Sequence, residues 1–241
     1  MSSPAVYRSP RSSSVAATVL LAVCGALSLA AVGAGFLVYG EAGKLAGGDE
    51  LADSSALMDA IGLHDAIGLL QLVAMVASAV TFIVWFHRAR VNAEFFEPQG
   101  HRFGRGWAIG SWFTPVVMLW FPWQIAVDTW QASARPDENG VRLPHPQPLL
   151  NLWWGAFVLS NLTGRFGARY ASSAEYVDDY QEAVGWLIAS DLAEVAAAVL
   201  AIVMVRRLSA MQEKRFIEPG VTNGTYGPYG PYGAHGATAW S

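Results

Sequence analysis

The chain contains one cysteine and little charge. Cys24 alone cannot close an intramolecular disulfide, and a cysteine metal centre is excluded, which leaves it as a small apolar filler. Charged residues are 14% of the 241 positions, against about a quarter in soluble domains. The histidines, His64, His87, His101, His145 and His235, never adopt an H-x-x-x-H spacing, and no glycine-rich phosphate loop is present. His64 with Asp65 reads as a solvated pair. A net charge of −4 gives no footing for a nucleic-acid partner. Outside the C-terminal tract there is no long-period repeat. No cofactor, metal or catalytic residue is assigned.

What the chain has in quantity is apolar sequence, 53% of it, gathered in blocks. Val15 to Tyr39 and Ala66 to Phe86 carry no charge; Val184 to Val205 is broken only by Asp191 and Glu194; Leu149 to Gly164 is slightly shorter. A hydrocarbon core of about 30 Å needs about 20 helical residues. The expected fold is therefore all-α, an integral membrane helical bundle with spans at about 15–39, 66–86, 149–168 and 184–205. The first run follows Arg8 and Arg11, as a secretory signal would, but it exceeds the usual apolar core of about 7–15 residues. A signal anchor is preferred to a cleaved signal.

A fifth stretch, GWAIGSWFTPVVMLWFPWQ (Gly106 to Gln124), is apolar and carries two prolines. Positive charge decides how it is threaded, because cytoplasmic loops are enriched in Lys and Arg. If the stretch crosses, giving five spans, eight basic residues lie inside and seven outside, which is no bias. If it does not, giving four, twelve lie inside and only Lys44, Arg165 and Arg169 lie outside. Pro115 and Pro122 would each remove an amide donor from a helix interior. Trp107, Trp112, Trp120 and Trp123 suit the interface between lipid and water. The expectation is four spans, both termini cytoplasmic, and an interfacial or re-entrant helix over 106–130, with five spans as the alternative.

Asp191 and Glu194 are the least expected residues. An acid at a helix centre costs about 2.5–3.5 kcal/mol on insertion scales, and an i, i+3 pair shares one face. That face should point into the bundle. The functional reading is a proton or cation site. The bland reading is a structural ion pair, with Arg165 the named partner of Asp191 and Arg169 a second candidate. Asn151, Asn161, Ser160 and Thr163 read as interhelical hydrogen-bonding residues. Arg88, Arg90, Arg206 and Arg207 are expected to face lipid headgroups, each contributing about 1 kcal/mol. Arg206 to Ile217 should continue the last helix along the inner surface.

Several segments together resemble one family: WFHRARVNAE (Trp85 to Glu94), the Gly106–Gln124 stretch with TWQAS after it, LLNLWW at Leu149, SNLTGR at Ser160 and VRRLSAMQEKR at Val205. The chain is identified by them as similar, over Ala66 to Arg215, to domain of unknown function 4328, a bacterial multi-pass membrane family common in actinomycetes. The Trp–Phe–x–Pro pattern is its most specific part. The resemblance implies a multi-pass membrane protein and brings no activity. Polar residues are usual in the family around Met118 and Phe121, where this chain is apolar.

Residues 1–14 are Ser/Pro/Arg-rich and 219–241 Gly/Tyr/Pro-rich; both are expected to be disordered. Expected partners are the lipid bilayer of the cell membrane, a second copy of the chain, and a cytoplasmic protein reached through the tails. The leading function is a non-enzymatic scaffold or regulator. The alternatives are a small ion- or proton-coupled transporter or channel subunit using Asp191 and Glu194, and a lipid-acting membrane enzyme.

Overall fold

The structure is a computed structural model that describes residues 5–48, 53–136, 144–174 and 176–217. Among these residues it is helical throughout: α1 (Arg11–Ala46), α2 (Ser54–Phe96), α3 (Trp107–Gly110), a 3₁₀ turn (Val117–Leu119), α4 (Phe121–Ser133), α5 (Pro148–Ser173) and α6 (Val177–Ile217). Three helices are long and apolar enough to cross a membrane: α1, α2 and the Asp179–Ile217 part of α6. α5 is also long, at 26 residues, but Asn151, Asn161 and Arg165 dilute its apolar character and it is not among the three.

Local chemistry sets the helix ends. Asp53 caps α2 by accepting from the Ser55 amide at 2.8 Å. α2 stops at Phe96 because Glu97 precedes Pro98 and is driven to extended backbone. α1 runs into Gly47 and Gly48, the latter at φ +68, a conformation glycine adopts without a steric penalty. α4 and α5 each begin with proline in the first turn, where its missing N–H would have had no helical partner.

The long helices exceed the bilayer. α2 has 43 residues and α6 has 41, so each runs for about 60 Å at about 1.5 Å per residue, roughly twice the hydrocarbon thickness. The expected continuation of the last span to Ile217 is part of α6 itself. The N-terminal segment differs from expectation. The helix starts at Arg11, and Tyr7 to Ser9 are pinned rather than disordered: the Tyr7 ring stacks on Phe216 with centroids 4.0 Å apart. The C-terminal tract lies outside the described residues.

α6 lies between α1 and α5 and packs along both, while α2 packs along α1. Small residues permit the close approach: a Cβ on Gly35 would come within 2.7 Å of Ile188, and one on Gly167 within 2.8 Å of Leu187. The larger apolar core holds Ala17, Phe82, Trp85, Phe86, Leu150, Trp153, Met204 and Leu208. It marks the end where α1 and α5 begin and α2 and α6 finish. A smaller core of Val38, Ala60, Val184 and Ile188 marks the opposite end.

Residues 97–147 leave α2 and enter α5 at the same end. The stretch does not form one kinked helix. α3 is a single turn, and the chain then breaks at Pro115. Val116 has φ 66 and ψ −54, and the Val117 amide donates to the Pro115 carbonyl at 2.7 Å. This is a γ-turn of the rare positive-φ kind, centred on a β-branched residue. Pro122 falls in the first turn of α4, not in a helix interior as expected. Trp112 fills the gap between α2 and α5, with Phe82, Phe86, Trp154 and Phe157 all within 6.2 Å, centroid to centroid. Phe113, Val116 and Leu119 point outward and are exposed.

Candidate functional site

Two polar constellations interrupt the apolar packing. The first crosses the middle of the bundle between the two cores. Gln71 of α2 donates from Nε2 to Asp191 Oδ1 of α6 at 3.0 Å and to Ser28 Oγ of α1 at 3.3 Å. Ser28, wholly buried, donates to the Cys24 carbonyl at 3.0 Å. Glu194 faces the same Ser28. His64 lies on this side of Asp191, and its Nε2 is shut from solvent. One layer thus gathers two carboxyls, an amide and a hydroxyl from three helices, with the imidazole about two turns away along α2. It can hold a proton or orient a small cation. No group of three or more His, Cys, Asp or Glu among the described residues could hold a metal ion.

The expected ion pair is not made. Arg165 and Arg169 lie on the exposed side of α5, and neither pairs with Asp191 among the described residues. The reason is rotational. Ser190 is the residue that α6 turns toward α5, donating to the Ser160 carbonyl at 2.9 Å. Asp191, about 100° further round the helix, faces α1 and α2 instead. Of the other polar residues expected on α5, Asn161 bonds within its own helix and Asn151 accepts from Trp123 Nε1 at 3.1 Å.

The second constellation lies at the arginine-rich end and joins α2, α4, α6 and the N-terminal strap. Gln212 is its hub, with no exposed surface. Its Nε2 donates to the Ala89 carbonyl at 2.8 Å and to Ser133 Oγ at 3.0 Å, and its Oε1 accepts from Asn92 Nδ2 at 3.2 Å. Asn92, equally buried, clasps Arg8, accepting from its amide at 3.0 Å and donating to its carbonyl at 2.8 Å. Trp85 donates to Ser209 Oγ at 3.0 Å. Arg215 donates to the carbonyls of Ala132 and Ala134 and lies over the Phe96 ring at 4.9 Å. Sequence reasoning passed over Asn92 and Gln212, because their partners are 120 residues apart.

Ion pairs fasten the loop after α2 to the same end. Arg90 pairs with Glu94 at 3.0 Å and donates to the Phe103 carbonyl at 2.7 Å. Arg105 pairs with Glu94 at 2.9 Å, and Arg102 grips Asp128 with contacts down to 2.7 Å. The Arg105 hydrogen bond holds the Glu94 carboxyl below the usual range, against the opposing effect of burial, with Arg90 adding to it. Burial, then the Arg90 charge, push His101 down, which keeps it neutral near pH 7. Arg90 is thus a buried structural cation at 3% exposure, not a headgroup-facing one as expected. Arg88 is half-buried, and Arg206 and Arg207 are exposed. In the Trp/Pro segment, Trp107 and Trp120 are largely exposed, while Trp112 and Trp123 pack against the core.

A family model described as domain of unknown function (DUF4328) matches residues 48–210, and the chain belongs to that family. The match takes in the whole of the Gln212-end loop, the Trp/Pro segment and both intramembrane acids, and stops just short of Gln212. No curated protein and no solved structure matches the chain.

Proposed function

We propose that this member of the family is a four-span protein of the cell membrane with both termini cytoplasmic, acting as a non-enzymatic scaffold or regulator. α5 is the fourth span, and residues 106–130 form a layer at the inner interface. One observation carries the reading: the chain from Glu97 to Gln147 leaves and rejoins the bundle at the same end, where Arg102–Asp128 and the Gln212 hub hold it. Among the described residues that end also bears most of the basic ones, as cytoplasmic faces do. The outward Phe113, Val116, Leu119 and Trp120 suit a surface resting in the headgroup region.

The scaffold reading follows from how this end is built. The hydrogen bonds that Gln212 and Asn92 make among α2, α4, α6 and the Arg8 strap brace this end as a platform. A pull-down of the full chain, with and without residues 219–241, tests it. A partner lost on deletion supports the reading; identical partners in both samples refute a role for the tail. The second reading, an ion- or proton-coupled subunit, is favoured by the Gln71–Asp191 bond in the middle of the bundle. Replacement of Asp191 by Asn and Glu194 by Gln abolishes flux with the protein still inserted if that reading is right.

A further inference from the structure

At the arginine-rich end, α4, the segment before α5, and α6 leave a groove lined by Trp130, His145, Arg207, Ala210, Met211 and Lys214. Its chemistry is one-sided. Arg207 and Lys214 are exposed and have no ion-pair partner among the described residues. No carboxylate among the described residues lines it. Trp130 is 4% exposed. Its indole N–H can only donate, and it has no acceptor among the described residues. The His145 ring lies beside it, centroids 6.1 Å apart. The remaining lining, Ala210 and Met211, is apolar.

Two cations on an apolar floor call for an anion rich in acceptor oxygens and joined to an apolar body. Arg207 and Lys214 are seven residues apart on α6, so they share a face and stand about 10 Å apart along its axis. That distance lets both reach one phosphate diester with their side chains. Arg207 comes within one turn of Val205, where the last apolar run ends. The groove therefore sits at headgroup depth. We propose that it is a binding site for the phosphate of an anionic lipid headgroup, with Arg207 and Lys214 holding the charge and Trp130, Ala210 and Met211 forming the apolar floor. The proposal rests on the reading that this end meets a membrane surface, but not on which side that surface lies.

The test uses the purified full chain in detergent, titrated with phosphatidylglycerol, with bound lipid counted by native mass spectrometry. Arg206 supplies the control. It neighbours Arg207 but lines a different groove, with Ser14, Val15, Thr18 and Val19. Arg207→Gln and Arg206→Gln change net charge equally. The expected result is one retained lipid per chain, weakened about tenfold by Arg207→Gln, about threefold by Lys214→Gln and less than about twofold by Arg206→Gln. Equal losses in Arg206→Gln and Arg207→Gln mean diffuse attraction and overturn the site. So does unchanged binding in both Arg207→Gln and Lys214→Gln. Inorganic phosphate that displaces the lipid at equal concentration assigns the groove to a soluble phosphate compound and overturns the lipid source. Because lipid is counted in detergent, a failed topology leaves this result readable.

Discussion

Replacing Gln212 with leucine removes the hub of the arginine-rich end while keeping most of its volume. Three hydrogen bonds go with it. The partners do not suffer equally. The Ala89 carbonyl keeps its helical bond, and Ser133 Oγ keeps its 2.7 Å bond to Thr129. Each of those two losses costs about 0.5–1.5 kcal/mol. Asn92 is left with one buried N–H and no acceptor, a penalty of about 1–3 kcal/mol. Leucine returns part of this through apolar burial. The net loss is about 2–4 kcal/mol. Measured as the fraction of monodisperse protein surviving a heating step in detergent, the midpoint falls by roughly 5–10 °C. Asn92→Leu is the second arm. The double variant costs at least about 1 kcal/mol less than the sum of the singles, because each single strands the other's polar group. A Gln212→Leu midpoint within about 1 °C of the parent, or strictly additive losses, refutes the hub.

Gly167→Ala drives a Cβ to 2.8 Å from Leu187 and 3.2 Å from its backbone nitrogen, so it lowers the same midpoint by an amount equivalent to about 1–3 kcal/mol. Gly155→Ala, on the same helix with nothing within 4 Å, is neutral or stabilising by up to about 1 kcal/mol. Glu94→Gln leaves the buried Arg90 with only Asp128 as counter-charge, at a cost of about 1–3 kcal/mol, visible by the same heating assay. The parent should also lose stability in acid. The Glu94 pKa is lower in the folded state, so its contribution is present above the unfolded carboxyl value and is lost as pH falls through the folded one. The fall below the unfolded carboxyl value is flattened in Glu94→Gln.

Block composition made the membrane class and the long helices legible. A run such as Ala66 to Phe86 has no use for a soluble surface, and its identity needs no knowledge of neighbours. Rotational phase was not legible. Whether Asp191 faces α5 or α2 depends on which neighbour α6 packs against, and Ser190 takes the α5 side. The Arg90 misreading had a signal within reach. Glu94 stands at i+4, and such a pair on one helix face competes with the headgroups for the guanidinium. Pro122 likewise could have been read as a helix start, since proline favours the first turn. Asn92, Gln212 and Trp112 offered no local pattern, because their roles exist only once α2, α4, α5 and α6 have met.

The central claim is that residues 106–130 do not cross the membrane, and thiol labelling of intact cells tests it most directly. Cys24→Ala removes the native thiol, Pro144→Cys marks the segment before α5, and Lys44→Cys marks the opposite end as the positive control. The account predicts that an impermeant reagent labels position 44 in intact cells and position 144 only after the cells are opened. Labelling of position 144 from outside, with residues near Arg88 still protected, would make Gly106–Gln124 a true span and contradict the four-span platform.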